Sequence, residues 1–359
     1  MESGYSLRSA SVPMPIRPPS AAVPVETAAP AGLFVLLKPH LHALDSFLHE
    51  QLSNFEPEVR ELASYCIDTS GKRIRPALVF FSGWAEDGRV SGDHVRLAAV
   101  IEMVHLATLV HDDIMDGADL RRNRRTAVRE FGADTAVLLG DALFSQALYV
   151  AAHFPTTEVC RRVAASTRQV CTGEIMQTLG HRDQARDVRR YRRVIELKTA
   201  ELFHVSCLLG ARLADTPDEF AEAAGRFGRH LGTAYQIYDD LADFFGDEQK
   251  IGKTLGTDLA SGKATLPLLL LLERLPPAEA DELRREMSKG ETKNLRLRVG
   301  QMAELNVFSD VLRDLREENS RGRATLEAWA HTAPCRRLRE LADVLEAQAQ
   351  TLKTAPQTG

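Results

Sequence analysis

The sequence has few cysteines and no long apolar run, and both shortages exclude whole classes of protein. Its five cysteines, at positions 66, 160, 171, 207 and 335, form no Cys-x-x-Cys pair. An odd count without such a pair argues against a zinc site and against a disulfide framework. The longest apolar run, Leu266 to Leu272, is interrupted by a proline and is too short to cross a bilayer. We therefore predict a cytoplasmic protein without a transmembrane segment.

A strong charge of one sign is missing as well. The net charge at pH 7 is −5 over 359 residues, with basic and acidic residues interspersed, so the chain has no general attraction for nucleic acids or anionic lipids. With 44% hydrophobic and 26% charged residues, its composition is typical of a soluble globular protein of enzyme size. Any anion must therefore be bound by a local group of basic residues.

The ends of the chain differ in composition from its middle. Residues 1–32 are rich in Ala, Pro and Ser and lack the apolar core of a signal peptide, which predicts a disordered extension. No Pro-, Gly- or Ser-rich linker divides residues 33–352, so we expect one large domain there and a flexible tail at 353–359. Residues 246–263 contain four glycines among charged residues and are predicted to form a mobile loop that closes over a phosphate.

Alternating strand patterns are also absent from the sequence. From Phe34 onward, apolar residues recur at helical spacing, which predicts an all-α fold, a single large helical bundle. The segments Ala98–Met115 and Leu231–Phe245 are apolar around most of their circumference and are predicted to be central, buried helices. The predicted helices are 34–52, 56–68, 76–85, 93–116, 134–153, 157–179, 187–213, 218–245, 264–274, 278–289, 294–317 and 336–352.

The two predicted central helices end in similar aspartate clusters. Within each cluster, the first and last aspartates lie about 40° apart on one helical face and about 6 Å apart along the axis, so they can hold one ion together. Two such faces would repel each other unless hard cations lay between them, and carboxylate oxygens favour Mg²⁺, which completes its shell with phosphate oxygens. The predicted metal ligands are Asp112, Asp113 and Asp116 in the first cluster and Asp239, Asp240 and Asp243 in the second.

Basic residues accompany the clusters in a number that suits two diphosphate groups. Arginine binds phosphate oxygens in a bidentate manner and lysine acts as a point charge, so the mixture fits a polyanion approached from several sides. Each feature alone has an ordinary explanation, since one acidic cluster is often a solvated helix end and His105 is by default a core histidine. The basic groups are Lys72, Arg73, Arg75, Arg121, Arg122, Lys198, Lys253 and Lys263.

Together these residues resemble the trans-isoprenyl diphosphate synthases, the polyprenyl synthetase family, from about residue 34 to the C-terminal helices. Ser70 and Asn123-Arg124-Arg125 depart from the commonest family pattern, which leaves the local loop shape and the choice of allylic primer open. The motifs that carry the resemblance, in family order, are Gly71-Lys72-Arg73-x-Arg75-Pro76, His105, Asp112-Asp113-x-x-Asp116, Leu120-Arg121-Arg122, Gly140-Asp141, Lys198-Thr199, Gln236-x-x-Asp239-Asp240-x-x-Asp243 and Gly252-Lys253-x-x-Gly256-x-Asp258.

The resemblance implies a helical bundle of the isoprenoid synthase type with a central active-site cavity, and a homodimer. The implied activity is a Mg²⁺-dependent, head-to-tail condensation of isopentenyl diphosphate with an allylic prenyl diphosphate. Three Mg²⁺ ions are expected, held mainly by Asp112, Asp116 and Asp239. The residues implied for isopentenyl diphosphate are Lys72, Arg75, His105 and Arg122, and those implied for the allylic diphosphate are Arg121, Lys198, Lys253 and Lys263. The implied catalytic residues are Lys198, Thr199, Gln236 and Lys253, with Thr199 and Gln236 beside the reacting carbon.

Product length depends on the residues below the first cluster, along which a growing hydrocarbon would run. Thr108 lies about 6 Å and Val104 about 12 Å below Asp112 along the helix axis, with Ala107 alongside. In short-chain members of the family, bulky aromatics occupy the positions that Thr108 and Ala107 hold here. Because neither is aromatic, we predict a medium or long product of C30–C50.

The sequence leaves other functions open, including a geranylgeranyl or farnesyl diphosphate synthase and a non-catalytic subunit of a heteromeric synthase. Terpene cyclases share the architecture but mix Asn, Ser or Thr and Glu at their second metal site, where this chain has a second aspartate cluster. A squalene synthase would lack Lys72, Arg75 and Lys253 in this order. The intact clusters argue against a non-catalytic subunit, and the role of His111 is undecided.

Overall fold

A computed structural model describes residues 30–67, 71–121, 124–180, 187–248 and 255–352. The first helices are α1 (Pro30–Leu52), α2 (Pro57–Ile67), α3 (Ile74–Ser82), α4 (Gly92–Met115), α5 (Ala127–Phe131), α6 (Ala133–Ala152), α7 (Glu158–Gly180) and α8 (Val188–Ile195). After a π-helical turn (Glu196–Ala200) come α9 (Glu201–Arg212), α10 (Asp218–Phe245), α11 (Thr257–Ala260), α12 (Leu266–Arg274), α13 (Pro277–Lys289), α14 (Leu295–Glu304), α15 (Val307–Thr325), a 3₁₀ turn (Glu327–Trp329) and α16 (Ala333–Gln350).

The core is built around α4, α9 and α10, and α9 packs against both of the others. Helices α4 and α10 are buried on most sides, as their apolar circumference predicts. Close packing of α10 on the π-helical turn requires glycine at position 232, because a Cβ there would lie 2.7 Å from the Cα of Ala200. The aspartate-rich ends of α4 and α10 therefore belong to the two central helices, and the all-α prediction is confirmed.

Three local features differ from the sequence predictions. The predicted helix 294–317 is wrong, because Asn306 takes a left-handed conformation (φ 59°) between α14 and α15, which asparagine tolerates better than most residues. A short antiparallel hairpin, β1 (Leu120–Arg121) with β2 (Arg124–Arg125), follows α4 where no strand was expected. The predicted helix 187–213 contains the π-helical turn, which redirects the side chains of the residues in it.

Some predicted features lie outside the described residues. These include the site residues Arg122 and Lys253, the position Ser70, residues 1–29 of the predicted extension and the predicted tail 353–359. Helix α1 begins at Pro30, inside the predicted extension. The described part of the predicted loop 246–263 contains the short helix α11.

In the described part of the chain, α6 alone is long and apolar enough to span a membrane, by length and composition. Only 44% of that segment is buried inside the protein, and Val137, Leu138, Leu148 and Tyr149 are exposed on it. Core helices of globular proteins meet the same criteria, so this property alone does not place α6 in a membrane. An apolar face of this kind also suits contact with another protein chain.

A buried ion pair stabilises the C-terminal part of the bundle. The Arg298 side chain is fully buried and donates to both carboxylate oxygens of Glu286 at 2.8 Å. Because Glu286→Ala leaves a buried guanidinium without its main partner, we expect the free energy of unfolding to fall by about 3 kcal/mol. Urea denaturation measures it, with the exposed Arg284–Asp281 pair as the control through Asp281→Ala. Equal losses in the two variants would contradict the prediction.

Candidate active site

The first aspartate cluster ends α4, and its three carboxylates have different surroundings. Asp113 is buried and accepts hydrogen bonds from Nη2 and Nε of Arg121 at 2.7 and 2.9 Å. Burial raises the pKa of Asp113, and the Arg121 guanidinium opposes that effect. Asp112 and Asp116 are more accessible than Asp113. Asp113 is therefore bound to Arg121 of the β1–β2 hairpin, whereas the carboxylates of Asp112 and Asp116 are accessible enough to take part in the site.

Two lysines from distant parts of the chain lie against Asp112 and Asp116. The Nζ of Lys263 donates to Oδ2 of Asp116 at 2.8 Å, and the Nζ of Lys198 lies 3.6 Å from Oδ2 of Asp112. Lys198 also pairs with Glu174 at 2.5 Å, a residue that the sequence analysis did not identify. Burial would lower the pKa of Lys263, but Asp116, Asp258 and Asp112 raise it above its usual value. The carboxylates thus already attract cations, which fits an oxygen site for a hard metal ion.

Lys198 and Thr199 lie in the π-helical turn between α8 and α9. A π-helical turn inserts an extra residue into a helix and is frequent at functional sites. Lys198 reaches the first aspartate cluster, whereas the Thr199 hydroxyl donates to Oε1 of Gln236 on α10 at 2.8 Å. The π-helical turn therefore contacts both the end of α4, at Asp112, and α10, at Gln236, three residues before the second cluster.

The carboxylates of the second cluster, on α10, also have different surroundings. Asp240 accepts from the Tyr191 hydroxyl at 2.6 Å and from Nε2 of Gln236 at 2.8 Å. Asp243 is fully buried and accepts from the Thr257 hydroxyl at 2.7 Å and from the backbone N–H of Asp258 at 3.0 Å.

These contacts give the carboxylates of the second cluster different roles. Asp243 fixes the start of α11, and Asp240 organises Gln236. Asp239 is half-buried and is the remaining member of the cluster.

The basic residues of α3 and its preceding turn have different partners. Nη1 of Arg75 lies 3.0 Å from Nε2 of His105, and the Nζ of Lys72 lies 5.6 Å from the ring centroid of Tyr238, the neighbour of Asp239. Arg73 instead pairs with Glu102 at 2.6 Å. Arg75 therefore contacts His105, Lys72 lies against Tyr238, and Arg73 has a structural partner.

His111 and the Gly140-Asp141 motif form a packing contact between α4 and α6. The Nε2 of His111 lies 3.1 Å from the carbonyl oxygen of Val137 and 3.7 Å from Asp141. A Cβ at position 140 would lie 2.1 Å from that nitrogen, so only glycine leaves room for the ring. This geometry favours a structural role for His111.

The predicted length-determining residues differ in accessibility. Ala107 and Val104 are 0% and 1% exposed, whereas Thr108 is half-buried and its hydroxyl donates to the His105 carbonyl oxygen at 2.7 Å. Of the three, Thr108 is therefore the side chain that is partly accessible, one turn below Asp112.

An all-α bundle whose two central helices end in aspartate clusters, with lysines against the carboxylates of the first, suits a helical enzyme that handles diphosphates. A model of the polyprenyl synthetase family matches residues 56–300. The chain belongs to this family, as the motifs predicted.

Relatives and solved structures agree with this assignment. Octaprenyl diphosphate synthase of Escherichia coli is 35% identical over 246 residues, covering 68% of this chain and 76% of that protein. Heptaprenyl diphosphate synthase component 2 of Geobacillus stearothermophilus is 36% identical over 254 residues, 67% of this chain and 79% of that protein. Polyprenyl synthase of Caulobacter crescentus, solved with calcium and isoprenyl diphosphate, superposes with a TM-score of 0.81 at 29% identity, covering 90% of this chain and 99% of that one.

Proposed function

We propose that the protein is a trans-polyprenyl diphosphate synthase that condenses isopentenyl diphosphate with an allylic prenyl diphosphate to give a C30–C50 product. The prediction of a medium- or long-chain synthase agrees with the relatives, which include octaprenyl and heptaprenyl synthases. The observation that carries the proposal is the π-helical turn, where Lys198 contacts Asp112 and Thr199 contacts Gln236. This turn brings cationic, carboxylate and neutral polar groups to one place.

The leaving diphosphate would lie between the two aspartate clusters. We assign three Mg²⁺ ions to Asp112, Asp116 and Asp239, and when bound they would stabilise the negative charge that develops on the diphosphate. Lys198 and Lys263 lie against Asp112 and Asp116, and they would turn to the diphosphate oxygens when it binds. Arg121 and Lys253 complete this predicted group.

Thr199 and Gln236 would stabilise the allylic cation that forms when the carbon–oxygen bond breaks. Neutral dipoles suit this task, because an unpaired positive side chain nearby would raise the energy of the cation. Lys72, Arg75 and His105, with Arg122, would hold isopentenyl diphosphate so that its double bond attacks the cation. The departed diphosphate would then assist the loss of a proton, since no unpaired His or Glu in the motifs stands out as a base.

Product length provides a specific test of the channel. Thr108→Phe is expected to shorten the product from C30–C50 to C15–C20, because an aromatic ring one turn below Asp112 would close the path of the hydrocarbon. Mass spectrometry of the extracted products measures it. The matched variant is Ala107→Phe, at the fully buried neighbour, where the same shortening would mean that both residues line the channel. An unchanged product from Thr108→Phe would contradict the assignment.

The proposal as a whole is tested by incubating the purified protein alone with farnesyl diphosphate, isopentenyl diphosphate and Mg²⁺, and then determining product mass. Products of C30–C50 are expected. Accumulation of only C15 or C20 would favour the shorter-chain alternative. No product from the protein alone, with activity restored by a second subunit, would favour a heteromer.

The assembly and compartment are proposals as well. We propose a cytoplasmic homodimer, supported by the exposed apolar residues Val137, Leu138, Leu148 and Tyr149 on α6, since homodimer interfaces bury apolar surface. The Geobacillus relative is named as a component, so a heteromer is the alternative. Light scattering of the purified protein separates a dimer from a monomer.

A further inference from the structure

Tyr191 on α8 has no role in the mechanism so far, yet it is bound directly to the site. Its side chain is buried, 7% exposed, and its hydroxyl donates to Oδ2 of Asp240 at 2.6 Å. A buried hydroxyl with a short bond to a carboxylate is a strong, well-defined contact. This contact fixes how the Asp240 carboxylate is turned.

Asp240 in turn determines the orientation of the Gln236 amide. A carboxylate can only accept hydrogen bonds, so Gln236 presents its Nε2 to Oδ1 of Asp240 at 2.8 Å. Its carbonyl oxygen must then point the other way, where the Thr199 hydroxyl donates to it at 2.8 Å. The reversed amide would place two oxygen acceptors against each other at Asp240.

We propose that Tyr191 is a positioning residue which, through Asp240, holds the Gln236 carbonyl and the Thr199 hydroxyl toward the reacting allylic carbon. The inference rests on the proposed function, because it assigns a purpose to the dipoles that this function needs. Preorganised dipoles stabilise a developing charge better than dipoles that must reorient during the reaction. Residues behind such groups hold them in place through hydrogen bonds, and their loss lowers the rate without removing a group that touches substrate.

The relay is a chain of three hydrogen bonds from three segments. It runs from α8 through α10 to the π-helical turn. Removing the first bond frees the Asp240 carboxylate to rotate, so the Gln236 amide that it holds through Nε2 loses its fixed position. The expected consequence is a slower ionisation step with little change in diphosphate binding, because no diphosphate-binding lysine is altered.

Tyr191→Phe tests this role, since it removes one hydroxyl and keeps the ring. We expect kcat to fall about 10-fold, with KM for both substrates within about twofold of the wild type. In the Gln236→Met background the same change should lower kcat by less than about twofold, because the group that Tyr191 positions is already gone. If Tyr191→Phe lowered kcat by the same factor in the wild type and in the Gln236→Met variant, the inference would be overturned.

A second readout is independent of how much protein is folded. When the allylic carbon–oxygen bond breaks, its electron pair leaves with the diphosphate, and the cation is captured either by isopentenyl diphosphate or by water, which loses a proton to give prenyl alcohol. Poorly aligned dipoles should raise the ratio of prenyl alcohol to elongated product several-fold in Tyr191→Phe. An unchanged ratio together with an unchanged kcat would overturn the inference.

Ser166→Ala is the matched control. The buried Ser166 hydroxyl donates to the buried carboxylate of Glu201 at 2.9 Å, so this variant also removes a hydroxyl–carboxylate bond, away from Gln236. We expect a lower melting temperature without a change in kcat or in the alcohol ratio. If the wild type condenses both diphosphates and Tyr191→Phe keeps the full kcat, only this inference is overturned. A wild type that forms no product would overturn the proposed function as well.

Discussion

Asp112→Asn is expected to lower kcat about 1,000-fold. Asp112 lies at the accessible end of α4 and faces the Lys198 ammonium at 3.6 Å, so it belongs to the part of the cluster that attracts cations. Replacing its carboxylate by a neutral amide removes a ligand that hard cations require. Steady-state kinetics with farnesyl and isopentenyl diphosphates, over a range of Mg²⁺ concentrations, measures the loss.

Asp113→Asn is the comparison within the same cluster. Its carboxylate is bound to Arg121 rather than turned to the site, so we expect a loss of about 2 kcal/mol in the free energy of unfolding and a much smaller loss of kcat. Asp281→Asn, at an exposed position, controls for charge alone. Equal losses of kcat from Asp112→Asn and Asp113→Asn would contradict the division of roles within the cluster.

Lys198→Met is expected to lower kcat about 100-fold. The side chain lies between Asp112 and Glu174, and under the proposed mechanism it turns to the leaving diphosphate. A methionine of similar length keeps the packing but cannot neutralise the charge that develops there. Single-turnover kinetics separates this effect from product release, because chemistry is then observed directly.

The alternative to a catalytic Lys198 is that it only neutralises Glu174. Burial and the nearby Asp112 raise the pKa of Glu174, and Lys198 opposes that effect, so the lysine has a stabilising partner in any case. The double variant Lys198→Met with Glu174→Gln distinguishes the two roles. The proposed mechanism expects it to stay as inactive as Lys198→Met alone, whereas recovery of activity would show that the lysine is needed only to balance Glu174.

The helical architecture could be read from the sequence because it depends on local patterns. Apolar residues around the whole circumference identified α4 and α10 as central helices, and the spacing of Asp112 and Asp116 placed both on one face. The family order of the motifs also led to the correct family. Metal and substrate roles of the individual residues stay predictions.

The partners that organise the site could not be predicted, because they depend on contacts between distant helices. Glu174 and Tyr191 belong to no motif that the sequence analysis used, and only packing brings them to Lys198 and Asp240. The π-helical turn has no marked sequence signal either, although it determines where Lys198 and Thr199 point.

Equivalent residues in a motif also proved to be different in the fold. The pattern Asp-Asp-x-x-Asp does not distinguish the aspartates within one cluster. In the structure, Asp113, Asp240 and Asp243 are buried and hydrogen-bonded to protein groups, whereas Asp112 and Asp116 face lysines. Burial, which decides this division, is a tertiary property that helical spacing alone cannot give.

The central claim is that both aspartate clusters act together on a metal-bound diphosphate. Calorimetric titration with an allylic thiolodiphosphate, which binds without ionising, tests it directly when performed with Mg²⁺ and with chelator. We expect affinity to fall at least about 100-fold without Mg²⁺, and Asp112→Asn and Asp239→Asn each to remove most of the Mg²⁺-dependent gain. Equal affinity with and without Mg²⁺, or a gain that survives the loss of either cluster, would contradict the claim.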